Sequence, residues 1–229
     1  MIRENGNYIL QGRNGKSFSI SVSDIETPLE IKGPWHVTFP PNLGAPSAVT
    51  LQDLISLHKH PTDGVKYFSG TATYTKNFSF SKKPSEKKHY FLDLGRVEVI
   101  AEVKLNGKDF GVLWKRPYQI NVSTALKDGL NSLEIKVTNL WPNRLIGDEQ
   151  LPDPDKFAPG GNASGLEGLT GGYIEQLPDW YTRNKPKPND GRVCFTTWKH
   201  YLKTSPLLES GLIGPVTIRQ AILKEIRFV

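Results

Sequence analysis

Between residues 67 and 138 the chain changes direction every few residues, and this rhythm restricts its fold more than any other feature. Tyr67–Phe80 carries Phe68, Thr71, Thr73, Tyr74 and Phe78, a strand-forming composition that alternates over part of its length. Tyr90–Leu94, Val97–Leu105, Phe110–Trp114, Tyr118–Val122 and Ser132–Thr138 follow as further short strands. Asn106-Gly107 between two of them is a two-residue hairpin signal, because both positions of such a turn need positive φ. Thr124–Gly129 reads as a single turn. Closely spaced short strands with Gly, Asn and Pro turns imply an antiparallel sandwich or barrel. No strand–helix–strand alternation is present, which argues against a doubly wound sheet.

Outside this body the signals change. Weak alternation in residues 7–31, with Asn14-Gly15 between two runs, predicts a β-hairpin extension over residues 1–32. Gly33-Pro34 marks the boundary, and the main domain runs from 33 to 229. Pro34–Phe39 alternates as its first strand, and Leu51, Leu54, Ile55 and His58 fall on one face of a short predicted helix or turn over residues 50–58. Residues 139–192 carry many prolines and glycines, and form a long irregular loop insertion. Interleaved Trp141, Phe157, Tyr173, Trp180 and Tyr181 argue against disorder there, since aromatics give the segment something to bury. Phe195–Tyr201 and Val216–Arg219 read as closing strands, with Ile222–Val229 as a possible last one.

The formal charge of +6 raises the question of nucleic acid, but the lysines are scattered. The densest group, Lys82, Lys83, Lys87 and Lys88, sits in a connection between strands and reads as a solvated turn, so no nucleic-acid partner is expected. No apolar run approaches the length of a membrane span, so no membrane partner is expected either. Met1–Gly6 lacks the apolar core of a signal peptide. Either the chain stays in the cytoplasm or it belongs to a larger exported protein, and the second is the expectation. The single cysteine, Cys194, excludes an intrachain disulfide framework and lies in an apolar stretch as a small buried side chain rather than a nucleophile.

The richest chemistry lies in residues 137–150, where a strand runs into Trp141, Asn143, Arg144, Asp148 and Glu149. An aromatic face, an amide, a guanidinium and carboxylates are what sugar recognition requires. The competing reading is a loop tied down by its own Arg–Asp pair. Trp141, Trp180 and Trp198 are each either a stacking platform or a plug holding the loop on the sandwich, whereas Trp35 and Trp114 read as core. Asp148, Glu149, Asp153 and Asp155 are oxygen donors of the kind calcium takes, but their run matches no standard calcium loop, so no cofactor is expected. Glycoside hydrolysis would need two carboxylates at a defined separation. Candidates are Asp148, Glu149, Asp153, Asp155, Glu167, Glu175 and Asp179, and nothing in their spacing fixes a pair.

Several phrases carry a family resemblance. Tyr67–Tyr74, Asp93–Val97, Ala101–Gly107, Gly111, Trp114, Pro117 and Gly129–Ile135 resemble the sugar-binding jelly rolls of family 2-like glycoside hydrolases. A narrower set consists of Pro34-Trp35, Val37, Phe39, Trp141, Asn143–Asp148, Phe195–Tyr201 and Ser210–Val216. Together these look like the C-terminal β-sandwich of glycoside hydrolase family 106, the α-L-rhamnosidases, over roughly residues 30–219. The resemblance implies an all-β fold, an antiparallel β-sandwich of jelly-roll, galactose-binding-like type. It implies a non-catalytic module beside a (β/α)8 catalytic domain, with export and a glycan partner. In that family catalysis resembles inverting hydrolysis by two glutamates on the barrel with calcium nearby, and none of those residues maps onto this chain. The rival readings are a free-standing lectin-like module and a small independent hydrolase. An aromatic face left open over residues 141–181 would also drive self-association.

Overall fold

A computed structural model describes residues 2, 4–13, 15–81, 87–158 and 172–223. Its strands are β1 (Gly6–Gln11), β2 (Ser17–Val22), β3 (Leu29–Glu30), β4 (Trp35–Thr38), β5 (Ala48–Leu51), β6 (Thr71–Phe80) and β7 (Lys88–Asp93). They continue with β8 (Arg96–Glu98), β9 (Ile100–Leu105), β10 (Lys108–Leu113), β11 (Gln119–Asn121), β12 (Gly129–Thr138), β13 (Gly211–Gly214) and β14 (Thr217–Ile222). Three short helices, α1 (Asp63–Lys66), α2 (Pro142–Asp148) and α3 (Asp179–Thr182), complete the set.

Two sheets face each other. The larger has the order β10-β9-β12-β6-β4-β5 and the smaller β11-β7-β14-β3, with all ladders antiparallel. Alternation decides which side chains meet between them. Leu133, Ile135 and Val137 of β12, Val103 and Leu105 of β9, Tyr74 of β6 and Leu92 of β7 are fully buried. β6 and β12 pair over ten residues, from Gly129 opposite Phe80 to Thr138 opposite Thr71. A register slip along so long a ladder would turn every core residue outward.

The hairpin at Asn106-Gly107 forms as read, with φ of 52° and 81°. Asn106 also uses its side chain. Its Nδ2 donates to Ala125 O and to Asn131 Oδ1, both at 2.8 Å, and its Oδ1 accepts from Ser132 N–H at 2.9 Å. The buried Asn131 amide in turn shapes the 127–129 turn through Lys127 and Gly129.

Several expectations are corrected. Residues 50–58 do not form one helix: Ala48–Leu51 is β5, paired with β4, followed by a 3₁₀ turn at Leu57–Lys59. A nine-residue helical pattern is too short to hold without tertiary support, and the ladder to β4 competes for it. Residues 142–148, read as loop, are helix α2, with Pro142 in its first turn, where a missing N–H costs nothing. Phe195–Tyr201 is not a strand; its described backbone has only an isolated bridge between Trp198 and Tyr173. Trp35 is core at 1% exposure, but Trp114 is 67% exposed. The N-terminal hairpin is β1–β2, although Asn14 of its turn lies outside the described residues. β3, assigned to the extension, pairs with β14, and Ile31 lies in the core with its N–H bonded to Val216 O at 2.8 Å. The last strand reaches Ile222; residues 224–229, like Lys82, Lys83 and Glu167, fall outside the described set.

Candidate functional site

β12 delivers the chain to the end of the sandwich, where α2 turns it back. Asn139 and Ser69 make the corner. Asn139 Oδ1 accepts from Gly70 N–H at 2.8 Å and its Nδ2 donates to Phe68 O at 2.9 Å. Ser69 Oγ donates to Leu140 O at 2.8 Å and accepts from the Arg144 N–H at 3.1 Å. Neither residue was singled out from the sequence, because nothing local marks a bond that spans seventy positions.

Helix α2 buries most of its polar side chains. Asn143, Arg144 and Asp148 are exposed by 2%, 5% and 1%. Asn143 bonds both backbone groups of Leu208, with Nδ2 to the carbonyl and Oδ1 from the N–H, each at 2.8 Å. Arg144 pairs with Asp148 at 3.0 Å. The other Asp148 interactions are with the chain that crosses it: Val193 N–H donates to Oδ1 at 3.0 Å and Cys194 N–H to Oδ2 at 2.7 Å. Arg144 fits because its neighbours are small. A Cβ on Gly44 would come within 2.7 Å of one guanidinium nitrogen, and one on Gly147 within 2.6 Å of the other. Of the readings open for these side chains the geometry shows the tie: Arg144 pairs with Asp148, while Asn143 and Asp148 fasten residues 193–208 to the sandwich.

Glu149 lies at the edge of this cover. Lys199 Nζ bonds Glu149 Oε2 at 2.9 Å and also contacts Asp153, and Arg192 reaches Glu149 at 2.8 Å and Asp153 at 3.3 Å. Lys199 also sits over the Phe157 ring at 4.3 Å. Arg192 and Lys199 were not among the expected site residues; their signal was two cations in an aromatic segment opposite an acidic loop. Asp155 has its carboxyl raised above the usual range by burial, then by Asp153. Burial pushes the Cys194 thiol up to about 11, and the Asp148 carboxylate adds to the shift. Among the described residues no three His, Cys, Asp or Glu side chains gather closely enough for a metal ion. The carboxylates considered for calcium at 149 and 153 have lysine and arginine as their neighbours.

The aromatics divide into buried edges and open faces. Trp180 meets Phe195 edge-on at 4.9 Å and Tyr181 at 5.9 Å, and Trp198 meets Tyr173 at 6.3 Å. Trp180 and Trp198 are half-buried, whereas Trp141, Tyr173 and Tyr181 are each more than half exposed. Two clefts in this cover hold about 10 and 20 Å³. That is room for a water molecule and not for a sugar ring.

Residues 56–166 match a family model described as the glycosyl hydrolase 2 galactose-binding domain-like family. The sandwich is galactose-binding-like. A candidate beta-glucuronidase of Formosa agariphila is 42% identical to the chain over 223 residues, covering 96% of this chain and 18% of that protein. The solved rhamnosidase of Novosphingobium sp. PP1Y superposes with a TM-score of 0.66 at 33% identity, covering 88% of this chain and 16% of that one. The galactose-binding-like sandwich thus spans less than a fifth of either relative. No helix among the described residues is long and apolar enough to cross a membrane.

Proposed function

We propose that this galactose-binding-like sandwich is the non-catalytic accessory domain of an exported, multidomain glycoside hydrolase of the α-L-rhamnosidase type. Its α2 cover supports a surface that docks on the catalytic domain or on the glycan. The observation that carries this reading is the likeness along nearly the whole chain to proteins more than five times its length. The solved relative is a rhamnosidase, which supports the substrate class. The docking side chains are Trp141, Tyr173 and Tyr181, open aromatics held in place by a buried helix and ion pairs. An amphipathic aromatic surface of this kind suits a partner that is part apolar and part wet.

A second reading, β-glucuronide hydrolysis by the parent enzyme, is favoured by the name of the Formosa relative. Two measurements test the proposal. The coding sequence around this chain is expected to continue into a (β/α)8 domain, and the enzyme it encodes is expected to cleave aryl α-L-rhamnosides in preference to aryl β-D-glucuronides. The chain alone is expected to cleave neither. Turnover by the isolated chain, abolished by substitution of one carboxylate, would overturn the accessory role; preference for glucuronides would overturn the substrate class.

A further inference from the structure

At the opposite margin of the sandwich the two sheets part. The groove is lined by residues 26–27, β3, β7 and β14 of the smaller sheet and the end of β6 from the larger, is open to solvent on one side, and holds about 230 Å³. That is ten times or more the room of either cleft beside α2, and somewhat below the roughly 300–1,000 Å³ of sites for drug-sized ligands.

One wall is apolar. Leu29, Phe80 and Ile218 supply aliphatic and aromatic surface, and Tyr90 meets Phe80 edge-on at 5.3 Å and 81°. The other wall is polar, and its deepest member is unusual. Gln220 lies opposite Tyr90 in the ladder, at a position whose neighbours Ile218 and Ile222 are core residues. It is 4% exposed. Its Oε1 accepts the Glu26 N–H at 2.8 Å, which fixes which end of the amide is which, and its Nε2 has no partner among the described residues. A buried amide nitrogen without an acceptor forfeits its hydration with nothing in return, so such a group calls for an explanation. At the rim stand Thr27 and the Glu26 carboxylate, the latter 3.4 Å from Lys88.

We propose that this gap binds one uncharged sugar unit through a ring face and two adjacent hydroxyls. A hydroxyl both donates and accepts, so one hydroxyl can accept from Gln220 Nε2 while its neighbour donates to Glu26. The apolar wall takes the C–H face of the ring. Glu26 is the one charged side chain among the described lining residues and it is already paired with Lys88, so an anionic sugar finds no free cation among them and the neutral class is favoured. The site shares no residue with the α2 cover, and it goes beyond the accessory role by giving the domain a glycan contact of its own.

The test is titration calorimetry and saturation-transfer NMR on the whole 229-residue chain with L-rhamnose, D-galactose and D-glucuronate. Either neutral sugar is expected to bind, with D-glucuronate weaker. Thr27→Trp fills the gap from an exposed position and is expected to abolish binding without changing the thermal melt. Gln220→Glu keeps the acceptor for Glu26 N–H but removes the donor, and is expected to weaken binding about tenfold, the scale of one lost hydrogen bond. Val112→Ala, at an exposed position on β10, is expected to leave binding unchanged. Absence of binding by both neutral sugars, binding that survives Thr27→Trp, binding lost instead in Val112→Ala, or D-glucuronate as the tightest ligand would each overturn the proposal. None of these results bears on whether a barrel accompanies the chain, so the two proposals fail separately.

Discussion

Asp148 shows how far a side chain's surroundings can redirect its chemistry. In the sequence it is one acid among several beside a tryptophan and an arginine, a set that fits a sugar site. In the structure it accepts from Arg144, Val193 and Cys194 and sees almost no solvent. Removing one member of a buried pair leaves the other charge uncompensated, so Asp148→Ala is expected to destabilise the chain by about 3–5 kcal/mol in urea unfolding. Cys194 gives a second readout. Its thiol is raised from 9.0 to about 11, so alkylation of the native chain is expected to stay slow at pH 9 and to rise as pH approaches 11. The raised value also means that this thiol's contribution to stability, complete below pH 9, is lost as pH rises from 9 to 11, because only the unfolded chain readily releases the proton in that window. In Asp148→Ala the 193–194 backbone loses its anchor, and faster alkylation at pH 8 is the expected result; an unchanged rate would mean that the segment is held by something else.

At the scale of elements, α2 is a clamp. Seven residues would not persist as an isolated helix. It holds because its buried side bonds Ser69, Leu208 and the 193–194 backbone at once. Gly147 separates propensity from packing. By propensity alone, alanine in a helix interior gains about 0.8–1.0 kcal/mol over glycine. Here a Cβ would lie 2.5 Å from Tyr67 Cβ and 2.6 Å from an Arg144 nitrogen. Overpacking of that kind costs about 1–3 kcal/mol, so Gly147→Ala is expected to lower the melting temperature. A rise would show that Tyr67 and Arg144 can step aside. The same balance explains why the helix was hard to read: its apolar positions are few and its polar ones are buried beside Ile146, so no apolar-in, polar-out periodicity marks it. β5 was misread for the opposite reason, since Leu51, Leu54 and Ile55 carry a helical spacing that the ladder to β4 overrides.

For the whole molecule, the boundary between extension and sandwich is a matter of which contacts cross it. Among the described residues β1 and β2 form a ladder only with each other, and residues 1–23 are further tied down by the bridge of Ile2 to Ile222 and the burial of Val22. β3 and Ile31 belong to the smaller sheet and the core. Deleting residues 1–23 is therefore expected to cost about 1–2 kcal/mol, a fall of roughly 2–8 °C in a chain of this size. Deleting residues 1–32 exposes the edge of β14 and removes Ile31, with an expected loss of about 3 kcal/mol or more. Equal losses from the two deletions would place the boundary at 32 after all. Differential scanning calorimetry on both truncations decides this.

What could be read from the residues in order was the periodicity of the body: β6, β7, β9, β10 and β12, the Asn106-Gly107 hairpin, and from these an antiparallel sandwich or barrel, which the family resemblance narrowed to the sandwich. Alternation is a local property, and burial of one face follows from it directly. The local Arg144–Asp148 pair was legible as well, but the bonds of Asn143 to Leu208 and of Asp148 to residues 193–194, the pairing of β3 with β14, and the orphaned donor of Gln220 could not be read that way. Each depends on a partner tens to nearly two hundred positions distant, and a hydrogen-bonding side chain has no preferred partner until the fold brings one within three ångströms. The alternation of apolar residues thus sets the sandwich, and the packing of distant segments decides which polar groups it buries and which it leaves for something else to bind.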